Sequence, residues 1–137
     1  MRALAALVAL ALACGAAHAQ QPPAKPAPAE TAPPVDAPPP YEPQLLRLAE
    51  LMGALAYLRD LCGESDANAF HDKMAMLMDA EAKSQSRKDS LAGAYNRSFR
   101  DYEISYRACT PAAREVTSRF LTEAAGLTAD LANRYGG

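Results

Sequence analysis

Three groups of side chains in this sequence have types and spacings that could do chemistry. His71, Met74 and Met78 offer one imidazole and two thioethers, the soft donors that suit copper(I). On a helix these three share one side, so a three-ligand site is geometrically open, whereas Met76 faces elsewhere. The plainer reading places Met74 and Met78 in the core beside Phe70 and Leu77, because flexible methionine fills gaps in packed interiors. We adopt the plainer reading, under which the chain needs no metal and no cofactor.

Asn96, Arg97, Arg100 and Arg107 form the second group. Their guanidinium forks could hold a phosphate, a carboxylate or a polyanionic wall polymer. Asp89, Asp101, Glu103 and Glu115 lie close in sequence and could pair with them across helical turns, leaving a solvated face. The group is therefore a candidate binding face rather than a defined site.

Cys62 and Cys109 form the third group. Two isolated thiols are too few for a metal site, and a catalytic thiol would leave its mate unexplained. In an exported chain an even cysteine pair reads first as a disulfide. Closing a loop of this length disfavours the unfolded chain by about 4 kcal/mol on the chain-entropy model.

Catalysis finds little support. No serine nucleophile elbow, glycine-rich phosphate loop, zinc-type His-Glu pair or EF-hand loop is present. Glu81, Asp101 and Glu103 lack a spacing that would pair an acid with a base. Arg59, at the edge of an apolar stripe, reads as a structural pin reaching Glu103 or the C-terminal end of a neighbouring helix.

The front of the chain supplies the compartment. Residues 1–19, MRALAALVALALACGAAHA, carry one charge at Arg2, a short apolar run and a small-residue site at Ala17-His18-Ala19. That is the layout of a signal peptide cut after Ala19, with an apolar run too short for a membrane span. It predicts a periplasmic or secreted protein, whose only remaining imidazole is His71. Cys14 follows Ala11-Leu12-Ala13, a loose likeness of a lipoprotein box with its leucine one place late, so a lipid anchor at Cys14 is the lesser alternative.

Residues 20–43 hold ten of the eleven prolines, separated mostly by alanine. Such a stretch buries too little apolar surface to offset its ordering entropy and favours polyproline geometry. It reads as a spacer able to reach roughly 70 Å, with a docking site for a proline-reading partner as the alternative. From residue 44 onward, 12 Lys and Arg face 13 Asp and Glu, a net of 12 − 13 = −1. A balanced domain has no broad field to attract nucleic acid.

Residues 44–137 read as four amphipathic helices. The first spans residues 44–62, with Pro43 near its first turn and Gly63 past its end. Leu48, Leu51, Leu55, Leu58 and Cys62 share one face while Leu46, Tyr57 and Leu61 lie opposite, so this helix should be central. The second runs from Ser65 or Asp66 to near Ala82, burying Phe70, Met74, Leu77 and Met78. Ser86 with Asp89 resembles a capping box opening the third, over residues 87–108. Its stripe of Tyr95, Phe99, Tyr102 and Tyr106 leads to Cys109. Thr110 and Pro111 suit the cap and first turn of the fourth, which carries Val116, Phe120, Ala124, Leu127 and Leu131 inward.

Short links make consecutive helices antiparallel, giving an all-α, compact four-helix domain stapled by one disulfide. Both cysteines fall at helix C-termini, which predicts that the first and third helices are neighbours.

The stretches LAELMGALAYLRDLCG and AYNRSFRDYEISYRACTPAAR resemble an uncharacterised family of small exported proteins of alphaproteobacteria. The resemblance spans most of residues 45–135 and is most specific in Tyr-Leu-Arg-x-Leu-Cys-Gly and Asn-Arg-x-Phe-Arg leading to Cys109-Thr110-Pro111. It implies an exported helical domain with a cysteine pair and supplies no activity. The family often carries a tryptophan early in the second helix and aliphatics among the methionines, which implies that these methionines are exchangeable core. Asn96, Arg97, Arg100 and Tyr102 fall in its most specific run, so the resemblance implies that a shared surface lies there.

The expected function is a non-enzymatic module that binds a protein or envelope component. The alternatives are a small envelope-acting enzyme using Arg97, Arg100 and Tyr102 to bind substrate, and a copper-binding protein. An apolar exposed groove would favour the binding module, and two converging carboxylates the enzyme.

Overall fold

Proline, glycine and threonine punctuate this chain where their backbones allow. In the computed structural model, which describes residues 37–136, Pro43 stands in the first turn of helix α1 (Glu42–Leu61). A proline there forfeits no helical hydrogen bond. Gly63, just beyond α1, has φ of 73°, the left-handed conformation that L side chains avoid, and the Glu64 N–H turns back to the Arg59 carbonyl. Thr110 caps α4 (Pro111–Tyr135) by accepting from the Ala113 N–H. Between them lie α2 (Ala67–Glu81) and α3 (Gln85–Ser105), and no strand occurs among the described residues. The expected signal peptide, Cys14 and most of the proline-rich stretch lie outside the described residues.

The links are short, so consecutive helices run antiparallel and α1 and α3 point the same way. Helix α1 packs against all three others, as its two apolar sides predict, and α4 has no other backbone neighbour among the described helices. The core gathers Leu48, Met52, Leu55, Phe70, Met74, Leu91 and Tyr95, with Phe99, Phe120, Leu127 and Leu131 packed on its edge.

The closest approach is between α1 and α3. A β-carbon on Gly53 would lie 2.2 Å from the Tyr95 carbonyl oxygen, so only glycine lets the two backbones meet there. At the end of the same pair, Cys62 and Cys109 form the disulfide, with Cα atoms 4.9 Å apart.

Three boundaries differ from the sequence expectation, each for a physical reason. Ser84, rather than Ser86, caps α3 by accepting from the Arg87 N–H, and α3 therefore starts at Gln85. Its last turn stops at Ser105 instead of Ala108 because Tyr106 is extended, at φ −122° and ψ 116°. The chain leaves the helix to carry Cys109 to Cys62, and the Tyr57 hydroxyl donates to the Tyr106 carbonyl. Helix α1 begins at Glu42, two residues ahead of expectation, because the preceding turn is fastened: the Tyr41 ring packs against that of Tyr135, tilted by 37° with centroids 4.5 Å apart.

Candidate functional site

The pole where α1 begins is built around a buried arginine. Arg87 is only 8% exposed and donates through Nε and Nη2 to Glu42, at 3.2 and 2.7 Å, and through Nη1 to the Glu81 carbonyl. The Tyr41 hydroxyl donates to the Glu81 carboxylate at 3.2 Å, and burial followed by that carboxylate raises the Tyr41 pKa. One signal was available: Arg87 precedes Leu91 by four and Ala94 by seven, which places it on the buried stripe of α3. A charge on such a stripe needs a partner. Its work here is to fasten three helix ends together.

Arg59 is likewise a pin, but its partners are Asp66 and, at 3.7 Å, Glu64, rather than Glu103. Asp66 is thereby drawn to Arg59 and does not cap α2 with its side chain. Arg47 clasps Glu123 with two hydrogen bonds, at 2.7 and 3.0 Å, tying α4 to α1. That hydrogen bond holds the Glu123 carboxyl below the usual carboxylate range.

Because α2 and α4 each rest on α1 and share no backbone contact among the described residues, a groove of about 800 Å³ opens between them. Its floor is Leu48 and Met52 of α1. Phe70, Lys73, Met76 and Leu77 form one wall; Leu121, Ala124, Ala125, Thr128, Ala129 and Ala132 form the other. The alanines make the α4 wall shallow. Met76, 71% exposed, stands at the rim, and the Lys73 ammonium lies 5.1 Å from the centroid of the Phe70 ring. Among the lining residues the one carboxylate is Asp66, already engaged by Arg59. A second cleft of about 200 Å³ beside the disulfide is lined by Arg59, Cys62, Glu64, Arg114, Thr117, Ser118 and Leu121. It too offers one carboxylate, near Arg59.

The sequence-predicted arginines are all exposed. Arg97 and Arg100 project from α3 with Asn96, whereas Arg107 lies beyond the end of the helix and so does not share its face by helical spacing. None of the three makes an ion pair within 4.0 Å among the described residues; Asp89 is instead taken by Gln85 at 2.7 Å. Ile104, four residues after Arg100 and seven after Arg97, joins that face 68% exposed. An isoleucine outside the aromatic stripe was the available signal for it. Tyr102 turns away to meet Phe120 edge-on at 5.4 Å, and burial raises its pKa.

The methionines and His71 part company. Met74, 3% exposed, belongs to the core, and Met78 packs on its edge. His71 has a side chain 75% exposed, edge-on to Tyr95 at 6.4 Å and 3.7 Å from Asp72. No three His, Cys, Asp or Glu side chains gather as a metal site among the described residues.

A model of the family of proteins of unknown function DUF2385 matches residues 40–135. The chain belongs to that family. The DUF2385 match begins beside Tyr41 and ends at Tyr135, the two rings in contact at the Arg87 pole, so it takes in all four helices. No curated protein and no solved structure matches the chain. No described helix of this DUF2385 member is long and apolar enough to cross a membrane.

Proposed function

We propose that the protein is an exported, non-enzymatic helical module that binds a protein or cell-envelope component in the periplasm, and that the α2–α4 groove is its docking surface. The observation that carries this reading is the groove itself: a long apolar trough whose single carboxylate is already paired. Its natural ligand is an extended or helical protein segment with one apolar side, since such a segment can follow the groove and exclude water along it. The outer face of α3 supplies a second contact, where Arg97 and Arg100 lie two turns and one turn before Ile104 and suit an acidic, partly apolar surface. An enzymatic reading would need converging acid and base groups, and neither cleft brings two carboxylates together free of arginine. A copper(I) reading would need Met74 to leave the core to reach His71.

The test is in-cell crosslinking of the mature chain, comparing wild type with Ala129→Trp, which fills the groove from an exposed position, and with an Arg97→Ala, Arg100→Ala double variant. Specific adducts lost in Ala129→Trp support the groove. Adducts insensitive to Ala129→Trp refute it, and loss in the arginine variant alone moves the site to α3.

A further inference from the structure

The disulfide joins two electrostatically unlike ends. Cys62 closes α1, where the helix dipole is negative, and it stands between Asp60 and Glu64 in the chain. Cys109 immediately precedes Thr110, the cap of α4, where the dipole is positive. It also follows Arg107 by two residues, and Arg107 makes no ion pair within 4.0 Å among the described residues. A thiolate is therefore costly at Cys62 and favoured at Cys109. Both cysteines are half-buried, so the bond between them is not sealed from solvent. Access differs as well. The cleft of about 200 Å³ beside the disulfide is lined by Cys62 and not by Cys109. Arg59 and Arg114 line it together with one carboxylate, Glu64, which lies 3.7 Å from Arg59. Arg114 is exposed and makes no ion pair among the described residues, so its guanidinium is open to a carboxylate from outside.

We propose that the Cys62–Cys109 bond is a thiol-exchange site, at which a small thiol carrying a carboxylate enters the cleft and becomes joined to Cys62. The thiol ionises, giving its proton to solvent, and its thiolate forms a bond to the Cys62 sulfur. The Cys62–Cys109 bond breaks as that bond forms, and the electron pair leaves on Cys109. One disulfide is exchanged for another and one thiolate for another, so no further oxidant is needed. The direction follows from the two ends, because the sulfur that departs is the one better able to carry the charge. Access points the same way, since the cleft leads to Cys62. Arg114 binds the incoming carboxylate, while Arg59 is kept in place by Asp66 and Glu64. After exchange the Tyr57 hydroxyl still holds the Tyr106 carbonyl and Thr110 still caps α4. Cys109 therefore stays near Cys62 and can reverse the step. The inference does not rest on docking in the α2–α4 groove.

The experiment uses the chain from Gln20, whose cysteines are Cys62 and Cys109. It is incubated briefly with glutathione, a thiol bearing carboxylates, or with 2-mercaptoethanol, which bears none. N-ethylmaleimide then quenches the reaction, and peptide mapping locates the adduct and the alkylated thiol. The adduct is expected on Cys62 and the alkylated thiol on Cys109, in about fivefold excess over the reverse. Arg114→Ala should slow the glutathione reaction about threefold to fivefold and leave the 2-mercaptoethanol reaction unchanged. An adduct on Cys109, or one shared equally between the two cysteines, overturns the inference. So does an Arg114→Ala chain that reacts with glutathione at the wild-type rate, or one whose rates with the two thiols change by the same factor.

Discussion

Gly53 faces the Tyr95 carbonyl so closely that a β-carbon there would sit 2.2 Å from its oxygen. This contact sets the spacing of α1 and α3, the pair that carries the disulfide at one end and the Arg87 clamp at the other. Alanine is intrinsically the better helix former by about 1 kcal/mol, so propensity and packing make opposite predictions for Gly53→Ala. Packing should win, because backbone atoms cannot rotate aside, and the expected result is a loss of about 1–3 kcal/mol. Urea unfolding of the two proteins decides it; a stabilised variant would contradict the close approach.

Arg87→Ala should cost about 3–5 kcal/mol, since it strands Glu42 in a site largely closed to water. Pairing it with Glu42→Gln should recover part of that loss. A double-mutant cycle measures the coupling, and additive effects would show that the two side chains act independently.

Replacing Cys62 and Cys109 together by serine should lower stability by about 4 kcal/mol, seen as an earlier urea midpoint. The native protein should show the same shift under reductant, and the double variant no further shift.

The four helices are legible in the sequence because apolar residues recur at helical steps and Pro43, Gly63, Thr110 and Pro111 mark their limits. The disulfide is legible from parity and from both cysteines falling at helix ends. Less legible is anything decided by tertiary contact. Ser84 and Ser86 are equally good caps in isolation, and the early end of α3 depends on where Cys109 must go. The groove is invisible to periodicity because it arises from two helices failing to touch, and Met76 marks it only after the fold is known. Arg97, Arg100 and Arg107 are all exposed, as spacing places them, but Arg107 lies beyond the end of α3 and so leaves the helical face that the other two share.

Acid should loosen α4. The Glu123 pKa is lowered in the folded state by its hydrogen bond to Arg47, so its contribution is fully present above the ordinary carboxylate range and is lost as pH falls through the depressed value. Both side chains are partly exposed, so the effect is at most about 1 kcal/mol. Thermal unfolding of wild type and Glu123→Gln should differ near neutral pH and converge in acid. A difference that persists in acid would assign it to packing rather than charge.

Docking in the α2–α4 groove is tested most directly by a photoreactive side chain at position 76, on the groove's rim, in the living cell. A partner seated in the groove gives a discrete adduct from position 76 that disappears when Ala129→Trp fills the groove. An adduct from position 76 that is unchanged by Ala129→Trp, or adducts that form only from positions 97 and 100 on the outer face of α3, would contradict it.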